Sequence, residues 1–216
     1  MGPMPVRKGC VMRVSNYFEC KGFPCSDAKH DCCIIPDINL KPGNISMVMI
    51  SEAAPVEAAN YYYSKGETLF GQTTVQAFND AGVNVSSVRD LVEMGVYFTT
   101  AVKCGKTGYG IKTATIKECS SILAKELSIF SNVKVLMLMG DVAIKALNYI
   151  AKRAGQDKVI PAGSTYKIRG KKYFFGAIRV FPSYLQAGPA FFIEKSKRRM
   201  IAEDIQTAWR LINNAG

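Results

Sequence analysis

The sequence predicts one α/β domain, a three-layer α/β/α sandwich around a mainly parallel, four-stranded central sheet. Short continuous apolar runs alternate with longer amphipathic stretches, as in domains whose buried strands are covered by helices. The 216 residues are 48% hydrophobic and 21% charged, which is a globular composition, and this length suits a single domain over 1–216. No apolar run approaches the length that a membrane span needs.

The first half of the chain is predicted to contain two buried strands. Residues 1–44 are expected to be irregular, because Pro, Gly, Cys and Asp recur there without a period. The continuous apolar run 45–50 (ISMVMI) is typical of a buried parallel strand. A helix is predicted over 73–81, ended by Gly82. The run 96–102 (VYFTTAV) predicts the second strand.

The elements continue to alternate in the second half. A glycine-containing loop is predicted over 103–112, followed by an amphipathic helix over 116–130. The run 133–139 predicts the third strand. Gly140-Asp141 then opens a helix that ends near Gly155.

The last quarter is predicted to form a strand pair and a terminal helix. Residues 166–179 are interpreted as two basic strands that turn around Gly170, and 193–212 as a helix whose first half is basic. In parallel sheets, ligands bind beyond the carboxyl ends of the strands. The loops 51–70, 104–112 and 181–189 are therefore the expected places for a functional site.

The positive charge of the chain is concentrated near its end. Lys and Arg number 28 against 17 Asp and Glu, a net charge of +11. Residues 145–216 carry 14 basic and 4 acidic side chains, whereas the first 144 residues are nearly balanced. A polarised basic surface attracts a polyanion, most commonly a nucleic acid. Nucleic acid is therefore the expected partner.

Cysteine is frequent for a chain without a recognisable signal peptide. Disulfides are disfavoured in the cytoplasm, the expected compartment, so metal ligation is a sharper interpretation than packing alone. A single histidine, His30, argues against a His-dependent catalytic triad or a His-rich zinc site. The seven cysteines are Cys10, Cys20, Cys25, Cys32, Cys33, Cys104 and Cys119.

Five stretches, taken in order, resemble the iron–sulfur branch of the uracil-DNA glycosylase superfamily, which is known from thermophiles and archaea. The similarity covers roughly residues 10–212, and the order and spacing of the motifs carry it. The stretches are 42–55 (PGNISMVMISEAAP), 66–71 (GETLFG), 99–119 with its two cysteines, 135–147 (VLMLMGDVAIKAL) and 181–185 (FPSYL).

The resemblance implies a role for one residue in each of three loops. A DNA glycosylase extrudes a nucleotide from the duplex and holds its base in a pocket. Glu52 stands at the place of the branch's acidic residue, where a carboxylate can stabilise a cationic sugar and orient water. Phe70 matches the aromatic that stacks on the base, and Leu185 matches the apolar wedge that fills the vacated space.

Two positions depart from the branch pattern. Thr100 stands where the branch has a base-reading asparagine, and a hydroxyl is less discriminating than an amide. Phe181 stands where the branch has a histidine, and it cannot donate a hydrogen bond to the base. Altered base choice, slow chemistry or lost activity are the expected consequences. Lys103 or Lys106 could supply a substitute positive charge.

The resemblance also implies contacts with the DNA backbone. Ser183, stiffened by Pro182, would bind a phosphate. A run of cations follows this loop where phosphates would pass, although a charged run is equally typical of a solvated helix face. The cations are Lys195, Lys197, Arg198 and Arg199.

A metal centre is the last implication. Cys104 and Cys119, with 14 residues between them, approach the ligand spacing of the branch. Cys20 and Cys25 are the expected partners in a [4Fe–4S] cluster, and Cys32 or Cys33 could replace one of them. Zinc held by four cysteines is the competing centre. Either would fasten segment 1–44 to the domain.

The sequence thus predicts a monomeric, cytoplasmic DNA-repair protein, prokaryotic by the resemblance, that hydrolyses the N-glycosidic bond of a deaminated or damaged base. The absent Asn and His equivalents favour a second hypothesis, a nucleic-acid-binding Fe–S protein that keeps the fold without the chemistry. A redox-sensing Fe–S protein is a third hypothesis, and it depends on the cysteines alone.

Overall fold

A computed structural model describes residues 11–20, 25–30 and 33–213. Its principal strands and helices alternate as the sequence predicts. The strands are β1 (Met12–Arg13), β2 (Ala28–Lys29), β3 (Asn39–Leu40), β4 (Met47–Ala54), β5 (Val96–Lys106), β6 (Val135–Met139), β7 (Tyr173–Phe175) and β8 (Ile178–Ser183). The helices are α1 (Leu69–Asp80), α2 (Val88–Glu93), α3 (Thr113–Leu127), α4 (Asp141–Arg153), α5 (Thr165–Ile168), α6 (Ala190–Ile193) and α7 (Lys195–Asn213).

The central sheet contains the four predicted parallel strands and two antiparallel edge strands. Its order is β2-β5-β4-β6-β8-β7. Strands β5, β4, β6 and β8 are parallel neighbours, whereas β2 and β7 pair antiparallel at the two edges. Because the first parallel strand, β4, lies between the second and the third, the chain reverses its direction of travel across the sheet between β4 and β6. This reversal defines the topological switch point.

Helices cover both faces of the sheet, which confirms the α/β/α layering. Val48 and Ile50 of β4 face α3 and α4, and their cluster includes Leu123 and Leu147. Alternate strand residues such as Met49 face the other layer, which is formed by α1, α2 and α7. Both clusters consist of side chains that are almost fully buried, so the sheet is hydrophobic on its two faces.

The described part of segment 1–44 is held on the domain by ordinary protein contacts. Strands β1 and β3 pair with each other, and Val14 and Phe18 enter the same core as α3 and α4. Strand β2 extends the main sheet. Asp27 then accepts hydrogen bonds from the main-chain amide of Lys112 (2.5 Å) and the hydroxyl of Thr115 at the start of α3. The described part of segment 1–44 is therefore attached to the domain by strand pairing, core packing and hydrogen bonds, whether or not a metal is also bound.

Two local predictions are wrong. The first strand continues to Ala54, so Glu52 lies within β4 and not after it. The strand pair does not turn at Gly170: residues Thr165–Ile168 are helical, and the hairpin of β7 and β8 turns at Gly176, whose φ is +58°. A positive φ is accessible to glycine at no steric cost, which fixes the turn there.

No helix within the described ranges is long and apolar enough to cross a membrane.

Candidate functional site

The carboxylate of Glu52 lies at the switch point of the sheet. Glu52 is half-buried on β4, beside the end of β6, and its Oε1 accepts a long hydrogen bond (3.4 Å) from the main-chain amide of Val142 in the first turn of α4. The positive end of the helix dipole favours a carboxylate there. Gly140 makes the approach possible, because a Cβ at this residue would lie 2.5 Å from Oε1 of Glu52.

A cleft of about 300 Å³ opens around this carboxylate. Its volume is at the lower end of the range for small-ligand pockets. Glu52 and Leu185, two of the predicted site residues, both line it, and so do the basic residues Lys197 and Arg198. The loops that follow β6 and β8 and the start of α7 thus meet the end of β4 in one hollow. Phe70 is outside this lining.

Phe70 belongs to the packed interior beside the cleft. It lies in the first turn of α1 and not in a loop, and it is 9% exposed. Its ring centroid is 5.2 Å from that of Tyr62. Stacking on an extruded base therefore needs a change in the packing around this ring. Tyr62 is itself buried and in ring contact with Phe98 at 5.4 Å.

A closed ring of hydrogen bonds joins Ser51 of β4 to two buried side chains from the loops that follow β4 and β8. The hydroxyl of Tyr62 is 2.5 Å from Oγ of Ser51, Ser51 donates to Oε1 of Gln186 (3.2 Å), and Nε2 of Gln186 donates back to Tyr62 (3.1 Å). All three side chains are buried. Each group can donate once and accept once within the ring, so a buried polar cluster is satisfied internally.

Thr100 lies beside this ring with its hydroxyl free. It pairs with Ser51 across β4 and β5 and is fully buried. Its Oγ1 has no hydrogen-bond partner among the residues that the structure describes. Burial of an unpaired hydroxyl is costly, so such an atom marks a place where a ligand or water can bind. Phe181, the other departure from the branch pattern, is buried in β8 with the Arg179 guanidinium 4.3 Å from its ring centroid.

Lys103 does not supply a substitute charge to the cleft. It is fully buried, and its ammonium is hydrogen-bonded to Glu126 (2.5 Å) and to Thr99 and the main-chain oxygen of Thr100. Glu126 belongs to α3, in the helical layer opposite α7. Lys106, the other residue considered, is exposed and donates to the main-chain oxygen of Tyr109 (3.1 Å).

Ser183 is committed to an internal contact. It is fully buried at the end of β8, and its hydroxyl donates to Asp204 of α7 (2.6 Å). Asp204 also pairs with Arg169 (2.8 Å). Burial raises the pKa of Asp204. An internal hydrogen bond therefore replaces the predicted phosphate contact, and Asp204 fixes the start of the loop that carries Leu185.

Two of the four predicted cations, Lys197 and Arg198, line the cleft, and three of the four have acidic partners. Lys197 pairs with Glu194, Arg198 with Asp80, and Arg199 with Glu203 at 3.6 Å. The Asp80 pair links α1 to α7 below the cleft, and hydrogen bonding to Arg198 lowers the pKa of Asp80. Lys195 is exposed at the start of α7. The basic start of α7 thus lies at the surface, as predicted, but neighbouring acidic side chains balance part of its charge.

Five free thiols gather where segment 1–44 meets β5 and α3. The Cys33 thiol is hydrogen-bonded to Cys104 and to Cys20, and the bond with Cys104 is the main factor that lowers its pKa to about 7. Burial raises the pKa of Cys20 to about 11, with further contributions from nearby thiols. Burial likewise raises the pKa of Cys119, and the electrostatic effect of the nearby Cys25 thiol raises it further. Cys10 and Cys32 lie outside the described residues.

The described thiols are of the chemical type that binds a metal centre, but their side chains are not already arranged around a metal position. Within residues 11–20, 25–30 and 33–213, no three His, Cys, Asp or Glu side chains already form a metal-binding group. A set of clustered sulfur donors is nevertheless what a [4Fe–4S] cluster or a structural zinc ion requires. The described thiols are Cys20, Cys25, Cys33, Cys104 and Cys119.

Comparison with solved structures found a similarity to the crystal structure of wild-type UNG, a uracil-DNA glycosylase, from Nitratifractor salsuginis. The TM-score is 0.39 and the sequences are 12% identical over 76% of this chain and 74% of that one. No protein-family model and no curated protein matches the chain.

Proposed function

We propose that the chain is a divergent member of the uracil-DNA glycosylase superfamily and that its cleft hydrolyses the N-glycosidic bond of a deaminated or damaged base in DNA. One observation carries this proposal. The carboxylate of Glu52 lies at the switch point of a parallel sheet, in the same cleft as Leu185 and beside Lys197 and Arg198. Open α/β sheets bind their ligands at this position.

The cleft contains a carboxylate for the sugar and an apolar side chain for the duplex. Cleavage of the bond builds positive charge on the sugar and negative charge on the departing base. Glu52 would stabilise the sugar cation and orient the attacking water, and its contact with the start of α4 holds the carboxylate in place. Leu185 is 37% exposed and free to enter the duplex, while the cations of α7 face the phosphates.

A nucleic-acid-binding protein without the chemistry is the second candidate. The ring formed by Ser51, Tyr62 and Gln186 favours it, because these buried side chains occupy the space beside Thr100 where the base edge would be read. Phe181 cannot donate a hydrogen bond to the departing base. Under this proposal the cleft still binds DNA and Leu185 still enters the duplex. Glu52 then only caps α4.

An incision assay separates the two candidates. Oligonucleotides with uracil, hypoxanthine, xanthine or an alkylated base are incubated with the protein in single- and double-stranded form, and abasic sites are cleaved with alkali. The glycosylase proposal predicts an abasic product from at least one of these bases. Salt-sensitive binding to all of them without any product would contradict the glycosylase and support the binding protein.

We further propose that the thiols hold a structural [4Fe–4S] cluster, with zinc as the alternative. Cys104, Cys119 and Cys20 are retained from the predicted set. Cys33 is favoured over Cys25 as the fourth ligand, because hydrogen bonding to Cys104 and Cys20 lowers the pKa of its thiol and the thiolate is the form that binds a metal. When bound, the group would fasten segment 1–44 to β5 and α3, and no step of the reaction passes through it.

Metal analysis after anaerobic purification tests the centre. The proposal predicts a brown protein with about four irons per chain. It also predicts loss of the metal in Cys33→Ser and retention in Cys25→Ser. A colourless protein with one zinc per chain would replace the cluster by zinc, and a chain free of both metals would overturn the proposal. Retention in Cys33→Ser with loss in Cys25→Ser would restore the predicted set.

A further inference from the structure

Large apolar side chains are exposed around the mouth of the cleft. Phe192 and Ile193 of α6 are 45% and 78% exposed and follow Phe191 of the cleft lining, and Tyr166 of α5 is 72% exposed and follows Thr165, another lining residue. Leu185 lines the same cleft. Clustering of this kind is typical of an interaction surface, whereas single exposed apolar residues are ordinary.

The exposure of α6 is fixed by a buried anchor. Phe191, the residue before Phe192, is 3% exposed and lines the cleft, and the guanidinium of Arg198 lies 5.3 Å from its ring centroid. The rings of Phe191 and Phe192 meet edge to face at 5.6 Å. Because one ring is held in the core, the next side chains of this short helix are directed outward.

Cations surround these apolar side chains. Lys195 is exposed two residues after Ile193, and Lys167 is exposed beside Tyr166. The chain from 145 onward has a strong excess of positive charge. A partner that fits must therefore present negative charge together with flat apolar faces. An unpaired nucleic-acid strand has both, since its phosphates are anionic and each base has a face that stacks on aromatic rings.

We propose that Tyr166, Phe192 and Ile193 form a rim that contacts unpaired bases of DNA next to the cleft that Leu185 lines. This inference depends on the proposed function only in placing DNA at the cleft. It adds a preference: the protein favours single-stranded or locally unpaired DNA over an intact duplex, because stacked bases in a duplex do not offer their faces to the rim.

Fluorescence anisotropy with a labelled 15-nucleotide strand, and with its duplex, tests the rim. The wild type is expected to bind the single strand more tightly than the duplex. Phe192→Ala is expected to weaken single-strand binding by roughly 5- to 100-fold, the loss typical of one stacking contact. Tyr166→Ala should act in the same direction.

Phe174→Ala is the matched control. Phe174 is an aromatic residue that is 56% exposed on β7, paired with Arg179 near the amino end of β8 and so distant from the strand ends at the cleft. This variant should bind like the wild type. Thermal unfolding by circular dichroism checks that each variant is folded, which is expected because the altered side chains are exposed.

The outcomes distinguish the rim from the proposed function. If Phe192→Ala and Tyr166→Ala bind like Phe174→Ala while the wild type binds DNA, the rim is overturned and the DNA cleft stands. A rim-dependent affinity without base release in the incision assay supports the rim and contradicts the glycosylase. Absence of binding to either form of DNA would overturn both.

Discussion

Glu52 and Gly140 meet so closely that neither can change without affecting the other. Gly140 has a φ of +102°, a conformation that side-chain-bearing residues rarely adopt, and a Cβ there would approach both Oε1 and Cγ of Glu52. The glycine therefore performs two tasks: it begins α4 and leaves room for the carboxylate.

Gly140→Ala is expected to lower the free energy of unfolding by about 1–3 kcal/mol, because it forces a strained backbone and displaces Glu52. Urea unfolding followed by circular dichroism measures this change. Gly108→Ala is the control, since Gly108 has open space around it and its φ is not positive. Equal stability of the two variants would show that Gly140 does not constrain Glu52.

Residues that act through distant partners were missed by sequence reasoning. Gln186 meets Ser51 across 135 positions of the chain, and Asp204 meets Ser183 across 21. Neither residue belongs to a motif, and a lone Gln or Asp in sequence gives no sign of burial. The placement of Glu52 and Leu185 in one cleft could be predicted, because the family resemblance singled out both residues and both lie near the carboxyl ends of parallel strands.

At the scale of elements, the predicted strands were recovered because each is a continuous apolar run of strand length. Such a run identifies a strand buried on both faces, as in β4 and β6. The hairpin near the end was misplaced because Gly170 and Gly176 are both turn candidates. Only the pairing of β7 with β8 decides between them. Strand β2, two residues long, has no pattern that could reveal it.

The connection of β5 to α3 depends on a fully buried ion pair. Lys103 and Glu126 are 0% exposed, and the carboxylate also accepts hydrogen bonds from Tyr97 and Thr99, both at 2.8 Å. Removal of one partner leaves a buried charge without compensation. Lys103→Met is therefore expected to destabilise the fold by about 3–5 kcal/mol.

The double variant Lys103→Met/Glu126→Leu is expected to be more stable than Lys103→Met alone, because it buries no unpaired charge. Chemical unfolding of the wild type, both single variants and the double variant gives the coupling between the two positions. Additive losses in the double variant would contradict a buried ion pair at this junction.

At the scale of the whole molecule, the asymmetric charge predicts how binding responds to salt. Contacts with phosphates release counterions, so the logarithm of the affinity for DNA should fall linearly with the logarithm of the salt concentration. Lys195→Ala, at the exposed start of α7, is expected to reduce the magnitude of the slope by about 1.

Lys125→Ala provides the comparison, since Lys125 is exposed on α3 in the other helical layer. The slope of this variant should equal that of the wild type. Anisotropy titrations between low and moderate salt give both slopes. If the two variants change the slope equally, binding is a general effect of net charge and the basic start of α7 has no special part in it.

The proposed glycosylase activity depends most on Glu52, which must act in the reaction and not only as a cap for α4. Single-turnover release of the free base, measured with enzyme in excess, isolates the chemical step from binding. Glu52→Gln keeps the size of the side chain and its ability to accept a hydrogen bond from Val142. If Glu52 acts in the reaction, this variant binds DNA with an affinity close to that of the wild type and releases the base about 10²- to 10⁴-fold more slowly. Base release by this variant at the wild-type rate would contradict it.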